Sequence, residues 1–515
     1  MQRIAKISCF LLALLMLVLA LVACDGKGSG GLKPPTAPTN NPSGGEIPYE
    51  SYDENGYRND HIDRASIDYG GETVKVLTWY HNKDMLFPEH MQDGESLSNV
   101  VYERNQQISD DLGIQIDPVF MYSHMSSNME GDGWQLYNAA LTAKPGDYDA
   151  IVCYSHFPAL MAQEGILVDL NTLEFPETDM PWYPEGINSW TFNNRLFFVA
   201  NNSCVQNILA SWCIFANSEM IEDKGQENIE QVVLDGRWTL DKLNEYVREW
   251  ESEAQSNNPD KKDDPRNVYG FAITHRTVIN GFYHAAGFSA YSKDVSDTPQ
   301  PIFNQGTHAE AVSQFLDKFF DICDSPAFMM GAYSGDIYYP LTNENTLFFA
   351  ASLDSYKRIE LEDDTYCVIP MPKLDDKQQE YRTLTRDVTE LWCVPKVSED
   401  PEIGGLLIEA ISSSDYRLMA PKFFDKDFKY RYSSNENGVK IFDLIRTSFV
   451  TEFGSVWSQV FSSPYATLQN CVNRGDGQTP FNNDYASVVT NRQAQFDLLK
   501  SIDELKTKLN KPSSQ

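Results

Sequence analysis

The stretch Tyr148-Asp-Ala-Ile-Val-Cys-Tyr-Ser-His-Phe-Pro-Ala-Leu-Met-Ala-Gln-Glu-Gly-Ile-Leu-Val-Asp-Leu170 decides the fold. Its apolar run, Ala150 to Cys153, is short and unbroken, the pattern of a strand buried on both faces. A polar, aromatic corner follows at Tyr154-Ser155-His156-Phe157. Pro158 fits the first turn of a helix, where its missing N–H is an orphan anyway, and Gly165 supplies the stop. In an open α/β sheet, the carboxyl end of such a strand, facing a helix N-terminus, is where small molecules bind. The corner is therefore read as one wall of a ligand cleft.

Upstream, Thr73-Val-Lys-Val-Leu-Thr-Trp79 is a β-rich run, and Tyr80-His81-Asn82 lies just past its end. Ser96 or Ser98 is positioned to cap a helix that reaches Leu112 and stops at Gly113. Ile114 to Phe120 is the next strand, and Asp132 opens a helix. Strand, helix, strand, helix, strand at this spacing predicts a parallel, doubly wound sheet. Downstream, strands are expected at Arg195 to Ala200, Ala210 to Phe215, Tyr269 to Thr274, Asn345 to Ala350, Cys367 to Pro372 and Val388 to Val394. Helices are expected after the Thr239 cap, near 308–324, over 353–360, after Asp400-Pro401, and near 437–447.

The first 23 residues read as a secretory leader: Arg3 and Lys6, then an apolar run closed by Leu21-Val22-Ala23-Cys24. Those four residues resemble the lipobox of bacterial lipoproteins, which implies cleavage before Cys24 and lipidation of its thiol. A plain transmembrane anchor would need a longer run. From Asp25 to about Asp68 the chain is rich in Gly, Ser, Pro, Thr and Asn, and reads as a disordered tether. About 445 residues remain, enough for one large two-lobed body.

The formal charge of −33 excludes nucleic acid and anionic lipid as partners, and suits solubility outside the cell. The nine cysteines include no C-x-x-C, so neither a zinc ribbon nor a disulfide scaffold is indicated. Cys204 and Cys213 either pair or are simply buried. Aromatic residues make up 12% of the chain, and several sit in polar, loop-like contexts such as Trp79-Tyr80 and Trp182-Tyr183, which is the first pointer to the kind of ligand.

Four local patterns carry a resemblance. They are Tyr102-Glu-Arg-Asn105 with Leu112-Gly113; Tyr148-Asp-Ala with Glu164-Gly165-Ile-Leu-Val-Asp-Leu170; Gly236-Arg-Trp-Thr-Leu-Asp241; and Phe348-Phe-Ala-Ala-Ser352 followed by Val368-Ile-Pro-Met-Pro372. In this order, below a lipobox, the chain resembles the extracellular solute-binding lipoproteins of ABC importers, the class that includes maltose-binding protein. The resemblance implies an α/β fold of two lobes, type II periplasmic-binding-protein-like, joined by hinge crossings. By analogy lobe 1 holds residues 70–199 and 383–420, and lobe 2 holds 200–382 and 421–515, with crossings at the Leu196 to Ala200 strand and at 381–388. It also implies a small-molecule solute, ABC permease subunits as partners, a monomer, no cofactor and no metal, at the outer face of the cell membrane. The aromatic content favours a carbohydrate, because a ring face packs on a sugar while polar groups serve its edge.

Candidate ligand residues follow, each with two readings. Trp79 and Tyr80 are a platform or core aromatics. Tyr154 and His156 line the corner, or His156 is a satisfied structural histidine. Asn201, near Asn202 and Gln206, either contacts ligand through its amide or makes a turn. Ser352 and Asp354 face the cleft or cap a helix. Arg386 and Asp387, in a polar cluster with Thr385 and Glu390, clamp a solute or pair with each other. Trp457 closes the cleft from the C-terminal region or is core.

Two alternatives stand beside transport. A secreted carbohydrate-active hydrolase needs two carboxylates at a fixed separation, and 74 acids leave room for them, but no nucleophile elbow, metalloprotease or nucleotide-binding motif is present. A lipoprotein presenting a ligand to a sensor kinase would have the same fold and cleft.

Overall fold

Strand Ala150–Tyr154 sits in the middle of a five-stranded sheet, with every residue from Ala150 to Cys153 fully buried. The computed structural model describes residues 52–53, 56–91, 97–122, 132–184, 186–201, 203–258, 260–331, 338, 342–358, 365–386, 389–422, 436–450, 452–472 and 483–509. The leader, Cys24 and Asp387 fall outside these. Among the described residues no helix is long and apolar enough to cross a membrane.

In chain order the strands are β1 (Glu72–Trp79), β2 (Ile114–Met121), β3 (Ala150–Tyr154), β4 (Val199–Ala200), β5 (Trp212–Asn217), β6 (Tyr269–Ile273), β7 (Tyr291–Lys293), β8 (Pro299–Pro301), β9 (Phe328–Met330), β10 (Thr346–Ser352), β11 (Tyr366–Ile369) and β12 (Glu390–Cys393). One sheet has the order β2-β1-β3-β12-β4, a second the order β11-β5-β10-β6-β9, and β7 and β8 form a hairpin. These two sheets and their helices are the two lobes of a type II periplasmic-binding-protein-like α/β fold.

The expected parallel core is present as β2-β1-β3. It is not parallel throughout: β12 runs antiparallel to β3, with Glu390 opposite Tyr154 and Cys393 opposite Ile151. The reason is topological. β12 reaches the first sheet by a direct return from the second, with no helical crossover to turn it parallel.

Local chemistry sets the element ends. Gly165 adopts φ 75° and its N–H bonds back to Ala162, ending helix His156–Glu164 as a left-handed C-cap. The Thr239 hydroxyl accepts from the Lys242 N–H, and Asp400 caps Glu402 with Pro401 in the first turn. Ser98, expected as a possible cap, instead donates to the Asp84 carbonyl at 3.0 Å from inside helix Leu97–Leu112. Residues 353–358 form a 3-10 segment, tighter than the expected α-helix. Cys204 and Cys213 are both free and buried.

Residues 52–69, read as part of the tether, are a correction. The Asp60 side chain is 2% exposed and is held by Arg64 at 2.6 Å, Arg417 at 3.0 Å and the Ser413 hydroxyl at 2.5 Å. Tyr57 packs edge-on against Tyr416. His61 meets Glu177 at 2.7 Å, and Ile62 is buried. A polar composition hid this, because the segment is fixed by ion pairs rather than by apolar burial. Burial opposes ionisation of Asp60, but its Arg64 bond and the Arg417 charge outweigh that and bring the carboxyl down to about 2.

A second difference concerns helix Arg492–Leu509, placed in lobe 2 by analogy. It touches both sheets' surroundings. Gln495 donates to the Asn304 carbonyl at 3.0 Å, whereas Lys508 pairs with Glu164 at 3.2 Å and Arg195 donates to the Leu509 carbonyl.

Asp60→Ala leaves two arginines facing a lost partner, and breaking such a buried pair costs about 3 kcal/mol. Urea denaturation should show that loss, and limited proteolysis should cut near 52–69 faster than in the parent.

Candidate functional site

Because β1 and β3 are parallel neighbours, their carboxyl ends lie side by side and bring Trp79 and Tyr154 together. The Trp79 ring lies 5.3 Å from Tyr154, edge-on, and 5.0 Å from His81. Tyr154 in turn meets His156 at 5.0 Å. Three of the expected residues thus form one aromatic wall, with His81 added. Their roles differ. Trp79 is only 5% exposed and backs the wall, while Tyr154 and His156 are half-buried.

Tyr80 is not in this wall. Side chains alternate along a strand, and Tyr80 stacks on Tyr122 at 5.7 Å, half exposed, at the ends of β1 and β2.

Facing elements supply a polar cluster. Arg386 Nη1 donates to Ser352 Oγ at 2.9 Å, Ser352 donates to Asp354, and Arg386 lies 3.8 Å from the Asp354 carboxylate. The guanidinium sits 5.7 Å over the Trp212 ring, which meets His275 edge-on at 6.1 Å. Asp354 is 42% exposed, so the ion pair is weak and exchangeable. A guanidinium, a hydroxyl and a carboxylate around an indole can serve the edge and face of a polyhydroxylated ring.

A cavity of about 40 Å³ is lined by Ser155 and Trp190 from the first lobe, by Asn207, Thr385, Arg386 and Thr389 from the passages between sheets, and by Glu452. It has room for a water or a single hydroxyl, so it marks the root of the cleft rather than a chamber for a whole ligand. A larger cavity of about 240 Å³ lies within the first lobe, against Arg104, Asp415 and Met85. Arg104 and Asp415 pair with each other there, and Cys204 to Gln206 of the passage complete the lining with Asp84.

Two expected residues lie elsewhere. Asn201 is 1% exposed and donates to Asp415 at 2.7 Å, completing the buried Arg104–Asp415 ion pair. It is a structural amide, because those two charges need every partner available once out of water. Trp457 is fully buried among Phe192, Phe198, Phe453 and Phe461, and its indole N–H donates to the Trp190 carbonyl at 2.9 Å. It is core, the commoner fate of a large aromatic.

Sequence reasoning passed over Trp212, His275 and Asn207. Trp212 sat inside the run read only as the strand Ala210 to Phe215. Asn207 did carry a signal: an amide beside Gln206 within Val205-Gln-Asn-Ile-Leu209, which the structure buries. Such a group must find partners. It accepts from the Glu390 N–H at 2.8 Å and donates to the Glu390 carbonyl at 3.3 Å.

No protein-family model matches the chain, and no characterised protein matches it in sequence. Solved structures do match. The GacH receptor of Streptomyces glaucescens, studied unliganded and with acarbose, is 14% identical over 84% of this chain and 99% of its own, with a TM-score of 0.53. An ABC substrate-binding protein from Listeria monocytogenes in complex with cycloalternan is 10% identical over 86% of this chain and 100% of its own, with a TM-score of 0.48. At these identities the likeness is one of fold alone, the fold shared with the GacH receptor.

Two buried carboxyls tie stability to pH. Burial pushes Glu390 and Glu409 up to about 7, against hydrogen bonds from Trp79 and Tyr183 respectively. The folded chain then holds protons between about pH 4.5 and 7 that the unfolded chain releases. Stability conferred by these groups is present at the acid end of that window and is lost as pH rises through 7. The melting temperature should therefore fall from pH 5 to 7.5, and the slope should be shallower in Glu409→Gln.

Proposed function

We propose that the chain is a membrane-tethered solute-binding protein that captures an oligosaccharide between its lobes and hands it to the permease of an ABC importer. The observation that carries this reading is the aromatic wall of Trp79, Tyr154 and His156 at the ends of β1 and β3, together with Arg386, which lies over Trp212 and lines a cavity at the passages between the sheets. A solute gripped by both groups favours the closed arrangement in proportion to the contacts that only closure makes. The passages at 201–211 and 381–389, laced by the Ser211–Thr385 bridge, are the flexing elements.

The acarbose complex of the GacH receptor supports a carbohydrate as the solute class. The lipobox sequence ending in Cys24 supports lipidation there and a place on the outer face of the cell membrane. In this reading the protein performs no chemistry on its ligand and acts as a monomer.

Thermal-shift screening against linear and cyclic glucans tests the reading, since a bound solute stabilises by mass action. A hit is expected among them, and recovery of the glycan unchanged in mass separates binding from hydrolysis. A panel without a hit, or a shortened product, overturns it. Tyr154→Ala and Arg386→Ala should each weaken binding of the hit by roughly tenfold or more, as removal of a central aromatic or arginine anchor does, measured by titration calorimetry.

A further inference from the structure

The Glu390 carboxylate is wholly buried, yet it belongs neither to the ligand-facing cluster nor to an ion pair. It lies where three parts of the fold meet. Trp79 Nε1–H, from the end of β1, donates to Glu390 Oε1 at 3.1 Å. The Cys204 thiol, from the passage into the second lobe, points at Oε2 from 3.7 Å. Its own main chain is gripped on both sides by the Asn207 amide, from helix Val205–Leu209 on that same passage. Glu390 is also the first residue of β12, directly after the return passage that carries Arg386, and it stands opposite Tyr154 in register.

We infer that Glu390 is the positioning residue of the ligand site: its carboxylate fixes the Trp79 ring that backs Tyr154 and His81, while its main chain locks one interlobe passage to the other. The inference rests on the carbohydrate-cleft reading for its consequence in binding, but not for its structural content. It makes the setting of the aromatic wall depend on the protonation of one carboxyl near neutral pH, since an indole N–H bonds a carboxylate more strongly than a neutral acid. The groups facing Glu390 are Trp79 from β1, Asn82 beside it, Cys153 from β3, Cys204 from the passage, and Asp415, itself held by Arg104 of helix Leu97–Leu112. Asp415 is the one acid among them, and its paired arginine leaves Glu390 without a cation of its own.

The test uses the full chain in detergent, labelled with ¹⁵N at the tryptophan indoles, with the Trp79 signal assigned from Trp79→Phe. In the parent, the Trp79 indole N–H resonance should move with a midpoint near pH 7. In Glu390→Gln, which keeps an acceptor of the same shape, it should not move. This comparison separates Glu390 from the imidazoles of His81 and His156 in the same wall. For any glycan that binds, parent affinity should tighten roughly threefold from pH 5.5 to 8.5, the Gln variant should be flat, and Glu390→Ala should bind roughly tenfold more weakly. A Trp79 signal that is static in the parent, or that titrates unchanged in Glu390→Gln, overturns the inference, as does parent-like affinity in Glu390→Ala. If no glycan binds, the functional reading fails by itself, and the indole titration still decides the role of Glu390.

Discussion

The antiparallel entry of β12 between β3 and β4 is the constraint on which the rest of the molecule depends. β3 is fully buried from Ala150 to Cys153, and one of its edges stays open until residues 390–393 arrive. Those residues come back only after the whole second sheet has been laid down. The pairing is therefore among the most non-local in the chain, costly in loop entropy and slow to form. In return it makes the two lobes mutually obligatory. The first cannot finish its core without a strand that has visited the second, and the cleft is placed at that junction because the two passages must run side by side there.

Charge is used sparingly in this junction and always with partners. Arg104, from the Tyr102-Glu-Arg-Asn105 pattern, is buried against Asp415, and both it and Asn105 also reach the Leu86 carbonyl. Asn201 supplies the remaining bond to Asp415. The Tyr102-Glu-Arg-Asn105 pattern thus fastens a helix to the start of an interlobe passage. Arg386 lies over Trp212 instead, and Tyr154 and His156 are half-buried.

Much of the architecture was legible because local signals agreed with one another. The unbroken Ala150 to Cys153 run, Pro158 in the first turn and Gly165 in a left-handed cap all point to one buried strand followed by a short helix, and that is what forms. Thr239 and Asp400 marked helix starts for the same reason. What sequence could not show was pairing at long range. Nothing local distinguishes Trp457, which is packed among phenylalanines, from Trp212, which lies under a guanidinium. Asn201 and Arg386 are both polar residues near passages, yet one closes a buried ion pair and the other lines the cavity. Polar composition also misled at 52–69, where Asp60 is fastened by two arginines from outside any apolar cluster.

That fastening has a mechanical consequence. Asp60 grips Arg417 and Ser413, both attached to the first sheet's side of the body, so any pull arriving along the N-terminal segment is delivered directly to one half of the molecule only. The second sheet's side receives that load only indirectly, through the passages and helix Arg492–Leu509.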